Sequence, residues 1–333
     1  MSGRRGSPKA ADTARARMRT MSDSETFALT SPAEGPVALN QSWLSSDRLL
    51  EWIIACQSDP ATGTAYLGGT AEGVRAELDG LDQDWPDTVR VVTVQGQPVA
   101  ACAVEWDEEP ATAWIQGPWG SEDAVEAWGE PLMAAMVEQL PGEINTLEIC
   151  GEVRNSAMAD LADRLGWQPT EVNHAMVLPV EAARSVVKEL GSVPSTVTVR
   201  DALEDDLPSL AHLHESEFPD AYATTSQLLT RHLTVVTTQD EQVLGYASGQ
   251  IQDDGQAYID FTAVDPAARR RGLGRTLILA LTGRLVETAD PDRLTHVHLT
   301  VQEDKTSARA LYESVGFRTD VSLRGYRGPR PLD

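Results

Sequence analysis

Sliding the chain against itself constrains its fold more than any single motif, because the order of its patterns repeats. At an offset of 145 residues, "QPVAACAVEWDEEPATAWIQGPW" (Gln97–Trp119) falls on "QVLGYASGQIQDDGQAYIDFTAV" (Gln242–Val264). Both segments read as two alternating strands joined by an acidic turn. The same offset sets "PLMAAMVEQL" on "TLILALTGRL", an apolar helix in each copy. At an offset of 150, "NSAMADLADRLGW" (Asn155–Trp167) falls on "KTSARALYESVGF" (Lys305–Phe317). Identities are few, so the likeness is one of pattern and order. Hairpin, helix and closing helix agree in sequence, and the chain is expected to be two copies of one α/β unit.

The boundary between copies is expected near "LPVEAARSVVKELGSVPSTVTVR", where Gly191 and Pro194 punctuate the chain. The expected organisation is a disordered tail over 1–35, a first domain over 36–182, a linker over 183–195 and a second domain over 196–333. The basic tail lacks the apolar core of a secretory signal. It reads as disordered, with an Arg-rich transit peptide as the alternative, and "MSDSETF" from Met21 reads as an ordinary start.

Charge narrows the partners. The net charge is −24, and residues 27–190 hold seven basic against twenty-seven acidic groups. Such a surface repels nucleic acid and attracts cationic small molecules or basic peptides; solubility alone also explains it. No apolar run approaches the ~20 residues that span a bilayer. The three cysteines, Cys56, Cys102 and Cys150, lack metal-ligand spacing and suit reduced thiols in a cytoplasmic protein. His296 and His298 alternate on a strand and read as a polar face, with no metal expected. The oligomeric state is not legible.

One stretch breaks the acidic pattern. In "DPAARRRGLGRTLILAL" a strand feeds a turn with three arginines and two glycines, and a helix follows at once. The free N–H groups and dipole of a helix N-terminus favour an anion there. Gly272 and Gly274 would let a diphosphate approach the backbone, and Arg270, Arg271 and Arg275 add charge-assisted donors.

The run Arg269-x-x-Gly272-x-Gly274 resembles the acetyl-CoA pyrophosphate motif of the GNAT acetyltransferases, (Arg/Gln)-x-x-Gly-x-(Gly/Ala). "TSARALYESVGF" resembles that family's last helix and strand entry, and the likeness covers residues 197–327 and is close in character to the ribosomal-protein alanine N-acetyltransferases. The resemblance implies an α/β (α+β) fold of two tandem GNAT-like domains, each a mixed, mostly antiparallel sheet flanked by helices. It implies acetyl-CoA as co-substrate, held by Arg269, Arg270, Arg271, Gly272, Leu273, Gly274 and Arg275. It also implies that Thr262, Ala263 and Val264 pair their backbone with the pantetheine arm, and that Tyr312 protonates the departing thiolate.

Two positions depart from the family. Lys305 stands where members often carry Asn, and is expected to reach a phosphate instead. Thr300 stands where the alanine acetyltransferases place a Glu base. Asp260 is the candidate base in its place, on the expectation that Tyr258, Asp260 and Thr262 alternate onto one strand face; a structural Asp is the alternative.

In the first copy Ala124, Val125, Glu126 and Ala127 face Arg269, Arg270, Arg271 and Gly272. Ile115 faces Asp260 and Ala162 faces Tyr312. The first copy is therefore expected to be degenerate. The function expected is transfer of acetyl from acetyl-CoA to a primary amine, a small amine or a peptide N-terminus. The alternatives are a non-catalytic acyl-CoA-binding regulator and an enzyme like mycothiol synthase, which resembles the chain in tandem architecture and length.

Overall fold

A computed structural model of the protein describes residues 47–65, 67, 70–188, 197–219, 221–252 and 254–330, with the backbone of Ala28–Thr30 and Pro36–Ala38. Two compact units result. One contains Asn173–Val321; the other contains residues 47–172 and 322–330.

In the first unit the sheet runs Arg90–Val94, Gln97–Asp107, Thr112–Gly120, Thr146–Glu152, then Leu323–Pro329. All neighbours are antiparallel except the pair Thr112–Gly120 and Thr146–Glu152. In the second unit the order is Asn173–Pro179, His296–Gln302, Ala257–Val264, Gln242–Ile251, Leu233–Gln239 and Thr198–Asp201. Here Ala257–Val264 and His296–Gln302 form the parallel pair. The repeat extends to turn geometry: Gln95 and Gly96 have φ 51° and 74°, and Asp240 and Glu241 have φ 50° and 66°. Left-handed backbone at two successive residues matches the twist of a tight hairpin.

Each unit packs helices on its sheet. In the second, the helix Leu273–Thr288 buries Leu277, Ile278, Leu281 and Leu285 against Ala247, Ile259 and Val297. Its residues "LILAL" are apolar almost all round because the helix is covered on more than one side. On the opposite face the helix Leu207–Glu217 buries Leu210 and Leu213 against Tyr246, Phe261 and Ala263. Among the described residues no helix is long and apolar enough to cross a membrane.

The units are not the contiguous segments that the repeat suggests. The strand Asn173–Pro179, expected in the first domain, pairs with His296–Gln302 over its whole length and buries Met176 and Leu178 in the second core. The C-terminal strand residues Leu323–Pro329 pair with Thr146–Glu152 of the first unit. An edge strand with alternating polarity fits either sheet, and a repeat alignment reports likeness, not which sheet a strand joins. Residues 183–188 are also not linker. The helix Val180–Val186 follows directly on Pro179, and Ala183 is fully buried in the second core. Residues 189–196 lie outside the described residues, as does the expected tail, except that Ala28–Thr30 pairs with Pro36–Ala38.

Candidate active site

The site is built around the strand Ala257–Val264. Its pairing with Gln242–Ile251 slips at one point: Phe261 faces Ser248 and Ile259 faces Gly249, so Asp260 has no cross-strand partner. This is a β-bulge, which bends a strand and re-aims its side chains. On the other edge, pairing with His296–Gln302 covers only Ala257–Ile259. Beyond Ile259 no described strand pairs with that edge, leaving an open run of backbone at Asp260–Val264. Thr262, Ala263 and Val264 lie on it as the sequence suggests. Arg269 Nε donates to the Val264 carbonyl at 3.0 Å.

The bulge overturns the expected alternation. Thr262 pairs with Ala247, which lies in the core under the helix Leu273–Thr288. Asp260 instead sits with Tyr222, whose ring stacks on Phe261 at 5.4 Å, in the core under Leu207–Glu217. Asp260 and Thr262 therefore face opposite sides of the sheet. The extra residue shifts the pleat by one step, which strict period-2 counting cannot foresee.

Asp260 is the most perturbed carboxylate of the site. Its side chain is fully buried. The Tyr222 hydroxyl donates to Oδ1, and Gln250 Nε2 lies 3.1 Å from Oδ1 and 3.3 Å from Oδ2. His232 Nδ1 lies 3.3 Å from Oδ2. Burial pushes the Asp260 pKa up to about 7. Burial, then His214 and Arg231, lower that of His232. Both shifts disfavour a charged pair at this contact. Sequence reasoning missed Tyr222, His232 and Gln250. Gln250 is cross-strand neighbour to Tyr258, but no spacing signals Tyr222 or His232, which the helix Thr225–Thr230 and its flanking turns bring in.

Tyr312 lies on the helix Thr306–Val315, packed on the core below Leu273–Thr288. Burial raises its pKa, Thr262 acts in the opposite direction and Tyr258 adds to the rise. Thr262 Oγ1 is buried without a well-aligned hydrogen-bond partner, so its effect on Tyr312 is one of proximity and not of a formed bond. Lys305 immediately precedes this helix, its Nζ 3.3 Å from Asp304 Oδ2. Thr300, on the neighbouring strand, is exposed.

The arginine-glycine turn opens the helix Leu273–Thr288. Gly272 caps it with φ 80°, and no side chain caps the first turn. Thr276 N donates to Gly272 O at 3.1 Å and closes the first turn of the helix on the glycine. The two glycines differ in purpose. A Cβ on Gly272 would meet nothing within 4 Å, so this position needs glycine for its left-handed backbone. A Cβ on Gly274 would meet Leu311 Cδ2 at 3.0 Å, so this position lets the Tyr312 helix approach. The arginines also divide. Arg269 binds Glu217 and the Val264 carbonyl, and Arg271 bonds Gln239 at 2.6 Å. Arg270 is exposed with φ 64°, and Leu273 is buried. A helix start whose N-cap is a left-handed glycine, beside an open strand edge, fits a ligand with a pyrophosphate and an extended amide arm.

Replacing Gly272 with valine should strain the turn rather than crowd it. A β-branched residue there costs about 1–2 kcal/mol in left-handed backbone, and acetyl-CoA Kd by calorimetry should rise about tenfold. Gly272→Asn, which tolerates that conformation, should bind more nearly like wild type; equal binding by both variants would remove the conformational argument.

The first unit lacks this arrangement. Ser121 accepts from Ala124 N at 3.3 Å, capping the helix Glu122–Val137, and Glu122 and Asp123 fill its first turn. Ile115 pairs in register with Val104, so no bulge forms there. The strands Thr112–Gly120 and Thr146–Glu152 part after Ile115 and Ile149, as in the second unit, but the gap is filled. Thr64 bridges Gly151, Ala65 N donates to Cys150 O at 2.8 Å, and Gln57 Nε2 donates to Thr64 O at 2.6 Å. Asn155 Nδ2 holds Gly63 O at 3.2 Å, and Trp119 Nε1 holds Gln57 Oε1 at 3.2 Å.

Elsewhere, His298 Nε2 bonds Gln252 Oε1 at 2.8 Å, and its ring lies 5.2 Å from that of His296. Among the described residues no three His, Cys, Asp or Glu side chains gather to hold a metal.

The sequence profile of the acetyltransferase (GNAT) family matches residues 198–317. A [Ribosomal protein bS18]-alanine N-acetyltransferase of Escherichia coli K12 is 31% identical over 132 residues, covering 39% of this chain and 86% of that protein. A mycothiol acetyltransferase of Renibacterium salmoninarum is 22% identical over 239 residues, covering 65% of this chain and 68% of its own. Among solved structures, a tandem GNAT protein from the clavulanic acid biosynthesis pathway superposes with a TM-score of 0.56 at 15% identity, covering 93% of this chain and 99% of that one. The tandem fold is shared with that solved structure, and the chain belongs to the GNAT acetyltransferase family, as an N-acetyltransferase of tandem architecture.

Proposed function

We propose that the second unit transfers an acetyl group from acetyl-CoA to a primary amine, with Asp260 as general base and Tyr312 as general acid. The observation that carries this reading is the bulged strand. Its buried carboxylate, with pKa raised to about 7, stands at the start of an open backbone edge that leads to the uncapped turn at Gly272. Acetyl-CoA, when bound, supplies the thioester carbonyl that the amine attacks. The turn residues Arg269–Arg275 and Lys305 would hold its phosphates, and the edge Thr262–Val264 its amide arm. An alkyl ammonium has a pKa near 10 and must lose a proton before attack, and a base poised near neutrality suits that task. Amides on the open edge are fixed donors for a developing oxyanion. Tyr312, kept protonated by burial, holds a proton for the departing sulfur. The acceptor is a small amine or a peptide N-terminus, and the acidic surface favours a cationic one.

The first unit, in this reading, binds no acetyl-CoA. Its own segment Gly63–Ala65 pairs with Thr146–Glu152 in the gap that opens beside Thr112–Gly120, the counterpart of the strand that would receive the amide arm, and its helix N-terminus is already capped and acidic. The test combines calorimetry with release of CoA thiol against a panel of alkyl amines, amino sugars and peptides, including one with N-terminal alanine. One acetyl-CoA per chain and turnover with at least one amine are expected. Two sites of similar affinity would sink the degenerate first copy. Binding without turnover across the panel would favour an acyl-CoA-binding regulator.

A further inference from the structure

Asp260 is held unequally at its two oxygens. Oδ1 receives the Tyr222 hydroxyl and the shorter Gln250 contact, 3.1 Å. Among the described residues, Oδ2 has the longer Gln250 contact, 3.3 Å, and His232 Nδ1, also at 3.3 Å. His232 is 5% exposed at its side chain, and its Nδ1 has no aligned hydrogen-bond partner. A buried imidazole nitrogen without a partner is costly and uncommon in a folded protein.

Asp260 Oδ2, at 3.3 Å, is the acceptor beside this nitrogen. His214, the nearest other imidazole on the same side, is committed: its Nδ1 lies 2.6 Å from the Tyr246 hydroxyl and its Nε2 2.9 Å from the Ala223 carbonyl. Arg231 is exposed. Tyr222 is 47% exposed, and its ring centroid lies 6.5 Å from that of His232, so it covers the pair from the solvent side. His232 itself joins two fixed elements. The helix Thr225–Thr230 before it is locked by a reciprocal cap between Thr224 and Gln227. In the strand after it, Thr234 Oγ1 bonds the Leu228 carbonyl at 2.5 Å and Ser248 at 2.8 Å. The backbone that carries His232 is thus fixed on both sides, with its Nδ1 3.3 Å from Oδ2.

We infer that His232 is a positioning residue for Asp260, presenting a neutral Nδ1–H to Oδ2 so that the carboxylate is held in its ionised form and in one orientation. The inference rests on the assignment of Asp260 as base only for its consequence in catalysis; the contact itself is independent of it. Donors to the charged form lower a carboxylate's pKa, and burial raises it. Tyr222, Gln250 and His232 are the groups that face Asp260, and His214 and Arg231 are those that act on His232. Removing the imidazole N–H beside Oδ2 should therefore move Asp260 further up.

The full chain can test this without an acceptor. Protein labelled with 13C at the aspartate carboxyls is titrated by NMR, and the Asp260 signal is identified by its loss in Asp260→Asn. The wild-type midpoint should lie at about 7. His232→Leu should raise it by about one unit, and His232→Asn, which keeps a donor near the same place, should bring most of it back. A purely structural role would cost stability without moving the midpoint. His232→Leu with normal acetyl-CoA binding and an unmoved midpoint would overturn the inference; if that variant fails to fold, His232→Phe is read in the same way. Full turnover by Asp260→Asn would instead remove the base assignment and leave the midpoint shift intact, so the two failures are told apart.

Discussion

Replacing Tyr312 with phenylalanine should lower kcat by ~10²-fold, the usual scale for one positioned proton donor, while acetyl-CoA binding stays near wild type. The ring is part of the fold: it packs on the second core and meets Phe317 edge-on, centroids 6.1 Å apart. Phenylalanine keeps that packing and removes only the hydroxyl. The hydroxyl is suited to be an acid because burial raises its pKa above the ordinary phenol value, so it stays protonated across the working range. A thiol with pKa near 8.5 leaves as a thiolate basic enough to take that proton. Steady-state kinetics with a verified amine, beside calorimetry, decide the matter. Wild-type kcat would remove Tyr312 as proton donor. A large loss of binding with little change in kcat would make it a cofactor anchor instead.

What the sequence disclosed depends on how local each feature is. The glycine turn that opens the helix Leu273–Thr288 was legible because its signal lies within a few residues: glycines where the helix begins, apolar residues right after. The first copy's loss of the arginine turn was legible because it is a matter of composition: Glu126 stands in place of Arg271. The repeat foretold hairpins and helices, yet it misassigned the strand Asn173–Pro179, because register and sheet membership are settled by cores far away in sequence. Asp260 was found by counting alternate residues, although the strand does not alternate there. The carboxylate reaches its setting through a bulge that sends Thr262 to the other face. Its partners Tyr222 and His232 were out of reach, since a loop tyrosine and a histidine at a strand's start carry no periodicity. The segment Gly63–Ala65 in the first unit's gap was equally silent. Nothing in "DPATGTAYL" says that this stretch will lie along another strand's edge.

Asp260→Asn should act on two quantities in opposite directions. For catalysis, the wild-type carboxyl must be ionised to accept the amine proton, so kcat should rise with pH through about 7. The amide cannot accept that proton; kcat should fall by ~10²-fold or more, and the acidic limb should flatten while the alkaline limb remains. For stability the sign reverses. Folding raises this carboxyl from 3.8 to about 7, so the native chain binds the proton more tightly than the unfolded chain. Raising the pH then costs stability. The cost grows between pH 3.8 and about 7 and levels off above. Its ceiling is on the order of 4 kcal/mol, from about three pKa units. An asparagine keeps the Tyr222 and Gln250 neighbours but carries no charge to bury. The variant should therefore gain thermal stability over wild type as the pH rises through that window, with little gain at pH 3.8. A catalytic carboxylate that the fold would rather have neutral is the expected mark of a group kept for function. Loss of activity without any pH-dependent gain in Tm would mean that Asp260 is not buried in its charged form. Unchanged activity with the gain in Tm would make it a strained structural residue and leave the amine proton to water.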